Sequence, residues 1–422
     1  MDETDLRMTL VDEQGLACLA VEHDDLAERS ADASLTRIVV AGDLCWTPRP
    51  GVVDPSELDD CPWSGFVPLL TAQDLSIANL EAALTERTQP ITKSGPRVRS
   101  APSLAPVVRS GGFGAVGLAN NHVGDFGDGG VIDTLDFCHE AKLLTVGAGA
   151  DCRAAEAPLL LDLNGLRVAI IAATEGNLGA AGPGRAGVAA LRNGRQQATV
   201  ARLGGSVDAT VVLLHAGPEY YPLPSPHLAD LARSFVDVGA SAVIVHHQHV
   251  PEGVEVYAGV PIVFGTGNFL FPMYYPCIHP EWHEGYLVQL VFSGSRVCGL
   301  NLFPYLQSRG QRNVEPMSLA DARDLARKIE QRSTVLSDGA VLEREWRRFC
   351  AAQRPRYLAA LLGMTKHERR LVRLLGLWPR WRMRPDRVAA LLTVLTSESN
   401  REIAMTVLEE ELGRTGVSSR AV

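Results

Sequence analysis

Short apolar runs recur between residues 36 and 270, and several of them end directly in a polar residue that can bind a metal ion. The runs include LTRIVVAGD, SIANLE, GAVGLANNH, ATVVLLHAG and ASAVIVHHQH. Each run is too short for a typical helix and too apolar for a surface loop, which favours buried strands. Helix-like stretches such as SPHLADLARSFVDVG lie between them. Strands that alternate with helices indicate a layered α/β core.

The polar residues that end these runs would gather at one edge of the predicted sheets. The strand ends supply Asp43, Glu81, Asn121, His215 and the segment 246–249. In α/β sheets, ligands bind beyond the carboxyl ends of strands, and carboxylate, amide and imidazole groups bind divalent cations. One such residue alone is typical of a turn, a helix start or a structural histidine. Five strand ends together predict a metal site.

Four of the eleven histidines lie at two of these strand ends, in VVLLHAGPEY and VIVHHQHV. Alternate residues of a strand point the same way, so His247 and His249 could converge on one ion. His246 would then face the opposite side, as a packed or supporting histidine. His215 would supply a further imidazole from its own strand. This pattern is typical of a metal site.

The segment ANNHVGDFGDGG, residues 119–130, combines an amide, an imidazole and an acid in a glycine-rich loop. Asn121 offers a neutral oxygen to a cation. If His122 pairs with Asp125, the carboxylate would fix the tautomer of the ring and raise its basicity, which makes the pair a candidate general acid or base. A loop with one histidine is ordinary by itself, but the other strand ends favour a functional role here.

The segment KSGPRVRSAP is a candidate substrate-binding loop. It contains Lys93, Arg97 and Arg99, and arginine binds a carboxylate through two parallel hydrogen bonds. An ordinary surface turn is an equally good interpretation of this segment.

Charge is unevenly distributed along the 422 residues, whose net charge is −9. The first 32 residues carry ten acidic side chains and two arginines, whereas the stretch from Arg344 to Arg387 holds twelve arginines and one lysine. Such a basic block is typical of contact with nucleic acid, an anionic substrate or a membrane surface, or of a solvated helical face. We favour the solvated face and expect no nucleic-acid partner.

The cysteines and the hydropathy of the sequence indicate in which cellular compartment the protein is expected. The eight cysteines are widely spaced without a C-x-x-C pair, which is typical of reduced core thiols rather than a disulfide framework. The N-terminal segment has no basic n-region, and no apolar stretch reaches the roughly 20 residues that span a bilayer. We therefore expect a cytoplasmic protein without a membrane anchor.

Three regions are predicted. Residues 1–35 would form an irregular or partly helical N-terminal arm, and residues 36–315 the metal-binding catalytic domain. Residues 316–422 would form a helical appendage, because SLADARDLARKIEQ has helical periodicity after Ser318, a suitable N-cap, and a second helical pattern runs from 384 to 414.

The motifs GD, NLE, ANNHxxDxGxxG, HxGxEY and HxHVxxGVExYxGxPIxFGxGNFxF occur in this order between residues 36 and 305. Together they resemble those of the capsule-biosynthesis protein CapA (poly-γ-glutamate synthesis) family, which is related to the calcineurin-like metallophosphoesterases. The resemblance implies a calcineurin-like four-layer α/β/β/α sandwich with a metal at one edge of the sheets. It implies His122 as the acid/base residue. The ligands that it implies are Asp43, Glu81, Asn121, His215, His247 and His249.

The sequence departs from the family pattern at several positions. Ala216 stands where most relatives have tryptophan, and 245–249 reads VHHQH rather than GxHPH. Cys45 stands where phosphoesterases carry the histidine of the D-x-H motif. These departures disfavour a two-metal phosphatase site and favour one ion, such as calcium, magnesium or manganese, with zinc or iron as the alternatives. Family members are commonly tethered to membranes, which this sequence does not predict here.

Three functions follow as hypotheses. We favour a metal-dependent enzyme that epimerises a Cα of a ribosomally made peptide, as soluble relatives of this family do, because no tether is predicted and the phosphoesterase histidine is missing. Glu219 and Tyr220 of the HxGxEY motif would help to bind that peptide. A metallophosphoesterase or amide hydrolase is the second hypothesis, and a non-catalytic binder of peptides or polyanions is the third.

Overall fold

A computed structural model of the chain describes residues 6–13, 15–26, 34–47, 61–93, 95–175, 179–192, 194–272, 279–307 and 313–361, and the single positions 370, 374 and 408. Contacts divide the chain into two compact units, Met1–Leu342 and Glu343–Val422. All the described strands and the whole candidate site belong to the first unit.

The described residues form strands and helices that are numbered here in chain order. The strands are β1 (Arg7–Glu13), β2 (Leu16–Glu22), β3 (Leu35–Leu44), β4 (Leu75–Leu80), β5 (Ala83–Leu84), β6 (Arg99–Ser100), β7 (Ala115–Gly117), β8 (Leu144–Val146), β9 (Ala148–Gly149), β10 (Leu159–Leu163), β11 (Leu166–Thr174), β12 (Gly187–Val188), β13 (Ala209–His215), β14 (Ala242–His246), β15 (Val254–Tyr257), β16 (Val260–Val263), β17 (Asn268–Leu270), β18 (Glu284–Ser293), β19 (Arg296–Gln307) and β20 (Val314–Pro316). The α-helices are α1 (Val67–Thr71), α2 (Leu104–Ser110), α3 (Gly127–Glu140), α4 (Cys152–Ala155), α5 (Arg195–Leu203), α6 (Pro226–Asp237), α7 (Leu319–Ser337) and α8 (Gly339–Leu361).

Two mixed sheets form the centre of the first unit. One has the order β1-β2-β19-β18-β3-β4-β7-β8, with β17 paired to β3 and β20 to β19. The other has the order β10-β11-β13-β14-β16-β15. Strands β3, β4, β7 and β8 run parallel, as do β11, β13, β14 and β16. The carboxyl ends of these parallel strands carry the polar residues that the sequence singled out.

Side-chain alternation explains how four layers form. In β3, Ile38 and Val40 belong to the apolar cluster shared with the second sheet, whereas Val39 and Ala41 belong to the cluster shared with α1, α2 and α3. Successive residues of a strand point to opposite faces, so a continuous apolar run buries both. Helices α5 and α6 contact β11, β14 and β16 of the second sheet. The predicted four-layer α/β/β/α sandwich is confirmed.

The ends of the first unit differ from the predicted arm and appendage. Strands β1 and β2 extend the first sheet beyond β19, and Leu19 is fully buried. Helix α7 begins after Ser318, whose hydroxyl caps it as predicted, but it buries Leu325 and Ile329 in the core shared by the two sheets. The many acidic residues of the β1–β2 hairpin concealed the alternation of apolar and polar residues that is typical of strands. For α7, helical periodicity alone does not reveal what the helix packs against.

The predicted helix at 384–414 lies outside the described residues, apart from the single position 408. Within the part of the chain that the structure describes, no helix has both the length and the apolarity to cross a membrane.

Candidate metal centre and acid–base pair

The candidate site lies where parallel strands of both sheets end. Asp43 is the penultimate residue of β3, and Glu81 directly follows β4, where its backbone N–H donates to the carbonyl of Leu44. His215 ends β13 in the second sheet. Both carboxylates are almost completely buried, with exposures of 1% for Asp43 and 0% for Glu81. The close packing of the two sheets therefore brings acids from one sheet against imidazoles from the other.

The position before Asp43 requires a glycine. The pairing of β3 with β4 shifts register between Ala41 and Asp43, and a side chain at Gly42 would collide with the carbonyl oxygen of Gly267. The backbone N–H of Asp43 donates to that same carbonyl at 3.2 Å. Glycine is the residue that permits so close an approach of two backbones. The approach aims Asp43 into the site.

Two groups of three residues could each hold a metal ion, and Glu81 is common to both. One group is Asp43, Glu81 and His215, and the other is Glu81, His247 and His249. Within each group, one ligand atom from every residue lies within 4.8 Å of the others. Glu81 Oε1 lies 3.5 Å from His215 Nε2, and Asp43 Oδ2 lies 3.2 Å from His249 Nδ1. Five of the six residues implied as ligands therefore cluster around Glu81.

Within the part of the chain that the structure describes, neither oxygen of the fully buried Glu81 carboxylate has a hydrogen-bond partner. Burial, together with the charge of Asp43, raises the pKa of Glu81 well above its ordinary value. Leaving a buried carboxylate uncompensated costs on the order of several kcal/mol. A divalent cation would satisfy these oxygens, and the surrounding carboxylates and imidazoles are groups that bind such ions. The residues present therefore fit a metal ion.

Asp43 is held in its ionised form by its neighbours. Burial by itself would raise the pKa of Asp43, but the hydrogen bond from His249 and the charges of His249 and His215 lower it below its ordinary value. Asn79 donates to Asp43 Oδ1 at 2.7 Å. For the imidazole of His249 the effect of burial has the opposite sign and would lower the pKa. The carboxylates of Glu81 and Asp43 outweigh it and raise the pKa of His249 to about 9. Acidic charge thus dominates this part of the site.

The histidine segment reaches the site through a strained loop rather than along a strand. Strand β14 ends at His246, whose Nε2 hydrogen-bonds to the carbonyl of Ala41 at 3.1 Å, so this histidine has the supporting role considered from the sequence. His247 and His249 follow with φ of 103° and 60°. Strand alternation therefore does not bring these two rings together. A turn of left-handed backbone does, and such strain persists at functional sites where the surroundings fix it.

Asn121, the sixth implied ligand, places its Oδ1 2.9 Å from His215 Nε2. Two other asparagines support the site and were missed from the sequence. Asn120 accepts from the backbone N–H of His122 at 3.1 Å and donates to the carbonyl of Leu80 at 2.8 Å. Asn268 Oδ1 lies 2.9 Å from His249 Nδ1. The strand-end motif GTGNF was the available signal for Asn268.

The predicted acid–base pair is brought together by a 3₁₀ turn at Val123–Phe126. His122 Nδ1 lies 2.7 Å from Asp125 Oδ2, and His122 Nε2 lies 3.8 Å from Glu81 Oε1. The same Asp125 oxygen accepts from the backbone N–H of Val98 at 2.7 Å. Burial and the charge of Lys93 outweigh Asp125 and lower the pKa of His122. One ring nitrogen is thus fixed by the acid while the other faces the metal-binding residues.

Lys93 contacts both members of the His122–Asp125 pair and does not lie on an exposed surface. Its ammonium forms an ion pair with Asp125, lies 3.2 Å from His122 Nδ1 and donates to the carbonyl of Asn121 at 3.0 Å. Its side chain is 7% exposed. The predicted contact of Lys93 with a substrate carboxylate is not available in this arrangement, because the ammonium is already surrounded.

The arginines of the same loop point elsewhere. Arg97 is exposed and donates to the carbonyl of Gly95 at 3.3 Å. Arg99 donates to the carbonyl of Arg87 at 2.9 Å and lies over the ring of Phe126. The structure therefore does not bring these two arginines into the cluster around Glu81, and their role in substrate binding stays a prediction.

Aromatic rings border the site on the His249 side. The rings of Tyr220 and Trp282 lie 5.9 Å and 5.0 Å from that of His249. Tyr220, a predicted substrate-binding residue, is half-buried, and its neighbour Glu219 is exposed. Trp282 is buried and was not predicted from the sequence. This border would give an apolar wall to any molecule that reaches the histidines.

A family model described as bacterial capsule synthesis protein PGA_cap matches residues 37–273. That range contains all the metal-binding candidates and both members of the acid–base pair.

Individual proteins are similar over parts of the chain. The capsule biosynthesis protein CapA of Bacillus anthracis is 34% identical over 39% of this chain and 41% of its own length. A probable polyglutamine synthesis accessory protein of Mycobacterium tuberculosis is 28% identical over 49% of this chain and 58% of its own. A solved 5′-nucleotidase precursor from Thermus thermophilus aligns over 69% of this chain and 58% of its own, with a TM-score of 0.39 and 16% identity. The chain spans about half the length of the curated relatives it matches.

Proposed function

The chain belongs to the bacterial capsule synthesis protein family PGA_cap, and we propose that it is a metal-dependent enzyme that changes a peptide by acid–base chemistry. The observation that carries this proposal is the buried Glu81 carboxylate, which has no hydrogen-bond partner among the described residues and has His122, His215 and His249 within 4.0 Å. A purely structural site would leave this carboxylate without a partner, which proteins avoid.

The ion would be held by residues that the two sheets deliver to Glu81. Asp43, Glu81 and His215 form one such group, with Asn121 beside His215. A bound divalent ion supplies positive charge that stabilises negative charge developing on a substrate oxygen. Carboxylate and amide oxygens favour calcium, magnesium or manganese, while the imidazoles also suit zinc or iron.

Proton transfer would be the task of His122. Asp125 holds Nδ1, so Nε2 is the atom that takes or gives a proton at the site. The side chain of Lys93 fixes the position of Asp125 from the other oxygen. Such a pre-oriented imidazole gives a proton donor or acceptor without a prior rearrangement.

Cα epimerisation of a peptide is the reaction that we favour. It breaks one C–H bond by transfer of the proton to a base, and forms a new C–H bond when an acid returns a proton to the opposite face. Imidazoles approach both oxygens of Glu81. His122 Nε2 lies 3.8 Å from Oε1, and His249 Nδ1 lies 4.0 Å from Oε2 and 3.2 Å from Asp43 Oδ2. His122, paired with Asp125, would supply one of the two proton-transfer groups that this reaction needs.

Hydrolysis of an amide or a phosphoester is the second candidate. A single positioned imidazole is enough to protonate a leaving group, and the His122–Asp125 pair has that form. Cys45, at the position of the phosphoesterase histidine, is buried and contacts Thr47. This residue favours the peptide reaction over a two-metal phosphatase.

A peptide is the substrate class that we propose for epimerisation and for hydrolysis of an amide. The names of the curated relatives refer to capsule biosynthesis and polyglutamine synthesis, and polyglutamine is itself a chain of amino acids. The half-buried ring of Tyr220, which lies 5.9 Å from that of Trp282, would accept an apolar part of such a chain.

The experiment that separates the two reactions uses peptides in deuterium oxide. The full chain, loaded with Mn²⁺ or Ca²⁺, is incubated with a candidate peptide, and the product is analysed by mass spectrometry and chiral amino-acid analysis. Epimerisation adds one mass unit at Cα without cleavage. Cleavage products without deuterium at Cα would instead establish hydrolysis. The H122Q variant is the control, in which either activity should be lost.

A further inference from the structure

Helix α7 contacts the loop that follows His249, and one of the contacting residues is the half-buried Arg332. Arg332 donates from Nη1 to the carbonyl of Pro251 at 2.6 Å and from Nη2 to the carboxylate of Glu281 at 2.7 and 2.9 Å. Its side chain is 14% exposed. Pro251 is two residues beyond His249, so this guanidinium bonds α7 directly to the loop at 246–252, which carries His247 and His249.

The second branch of this contact also leads to His249. Glu281 lies in the 3₁₀ turn Pro280–His283, next to Trp282. The ring of Trp282 lies 5.0 Å from that of His249, and its carbonyl accepts from Asn268 Nδ2 at 3.2 Å. Asn268 Oδ1 in turn lies 2.9 Å from His249 Nδ1. Both partners of Arg332 therefore belong to segments that fix the imidazole of His249.

The backbone of α7 presses on the same loop. A Cβ at Gly253 would lie 2.8 Å from the backbone nitrogen of Ser333 and 2.9 Å from the carbonyl carbon of Arg332, closer than side chains come. The hydroxyl of Ser333 accepts from the backbone N–H of Val254 at 2.8 Å. Glycine at 253 thus permits the helix to dock, and Arg332 reaches Pro251 from that docked position.

This docking bears on a loop whose backbone is strained. His247 and His249 both have φ in the left-handed region, which non-glycine residues hold only when surrounding contacts enforce it. Arg332 supplies such contacts at the end of the loop and through Glu281. In metal sites, groups that orient the ligands change metal affinity although they do not touch the ion.

We propose that Arg332 is a positioning residue of the metal centre. It fixes His249 and the loop at 246–252 without being a candidate metal ligand itself. The proposal rests on the metal site of the proposed function. It assigns to α7 a direct part in forming that site.

Metal binding by the full chain tests this proposal without an assay of the reaction. Mn²⁺ and Ca²⁺ are titrated calorimetrically into chelator-treated wild type and R332M, whose apolar side chain keeps much of the packing. We expect affinity to fall about 10- to 100-fold in R332M, the range typical when a group that orients ligands is removed. R332K keeps the charge but cannot bridge both partners as a guanidinium does, so we expect an intermediate loss.

The matched control is R327M on the same helix. Arg327 is 66% exposed, and its guanidinium pairs with Asp324 one turn earlier in α7. Its affinity should equal that of wild type. Equal affinities of wild type, R332M and R332K would overturn the inference while the metal site stands. If R332M fails to fold, as judged by circular dichroism, R332K alone decides by the same criterion. Absence of binding by wild type would overturn the proposed function itself.

Discussion

Two histidine-bearing loops meet at Glu81, and they are built in different ways. In the loop at 120–125, His122 pairs with Asp125, which lies three residues later within one 3₁₀ turn. In the loop at 246–252, His249 contacts Asp43 and Asn268, which belong to other strands. The first pair is a local property of the chain and the second is assembled by the packing of the sheets. We expect the first loop to govern proton transfer and the second to govern metal binding.

The largest expected effect is on the residue that both loops share. E81Q removes the carboxylate on which the two groups of candidate ligands converge, so metal binding should be lost, with affinity reduced by about 100-fold or more. The metal-free variant should be at least as stable as wild type, because the substitution removes a buried carboxylate for which the described residues offer no hydrogen-bond partner. Calorimetric titration and thermal unfolding measure the two quantities. Undiminished metal binding would refute the shared role of Glu81.

Substitution within the first loop should separate proton transfer from metal binding. In H122Q and D125N, kcat should fall by about 10²- to 10⁴-fold, the usual contribution of a positioned acid or base. Metal affinity should stay at the wild-type value, since neither residue belongs to the two groups of candidate ligands. Steady-state kinetics and calorimetry on the same samples provide the comparison. Loss of metal affinity in H122Q would mean that the two loops do not differ in role.

A smaller effect is expected from Lys93, which supports the first loop from inside. K93M should lower kcat about 10-fold, by loosening Asp125 and the backbone of Asn121, with KM unchanged. K93R should restore part of the rate. The opposite outcome, a raised KM with an unchanged kcat, would support the substrate-binding role that the sequence suggested. Q89A is the control, because Gln89 is exposed shortly before Lys93 in the chain.

The smallest effect concerns Glu252, at the end of the second loop. Its carboxylate is fully buried and has no hydrogen-bond partner among the residues described. Burial raises its pKa well above the ordinary value of 4.5, although the charge of Arg332 lowers it. The folded state therefore holds this proton more tightly than the unfolded chain does. The stability that the group contributes is full below pH 4.5 and is lost as pH rises through the folded pKa.

E252Q should consequently stabilise the protein near pH 8 by about 1 kcal/mol, on the scale of one pKa unit, and should change little near pH 4, where Glu252 is protonated. Denaturant unfolding of the metal-free protein at the two pH values measures the difference. A loss of stability in E252Q at the higher pH would indicate that the ionised carboxylate is instead stabilised by Arg332.

Much of the fold could be predicted from the sequence because it depends on local patterns. Short apolar runs that alternate with helical segments indicated the layered α/β core, and the Ser318 cap located the start of α7. The hairpin of β1 and β2 was missed because pairing with β19, distant in the chain, is what makes it part of the sheet. The packing of Ile329 in the core was missed for the same reason.

The sequence by itself determined which residues could meet at the strand ends, since strand ends are local and the sheet brings them to one edge. It also determined the His122–Asp125 pair, whose spacing fits one turn. Only the tertiary structure decided that Lys93 is enclosed by that pair, that His249 is fixed by Asn268 and Trp282, and that α7 supports its loop. Those contacts join segments far apart in the chain, and no local pattern records the distance between them.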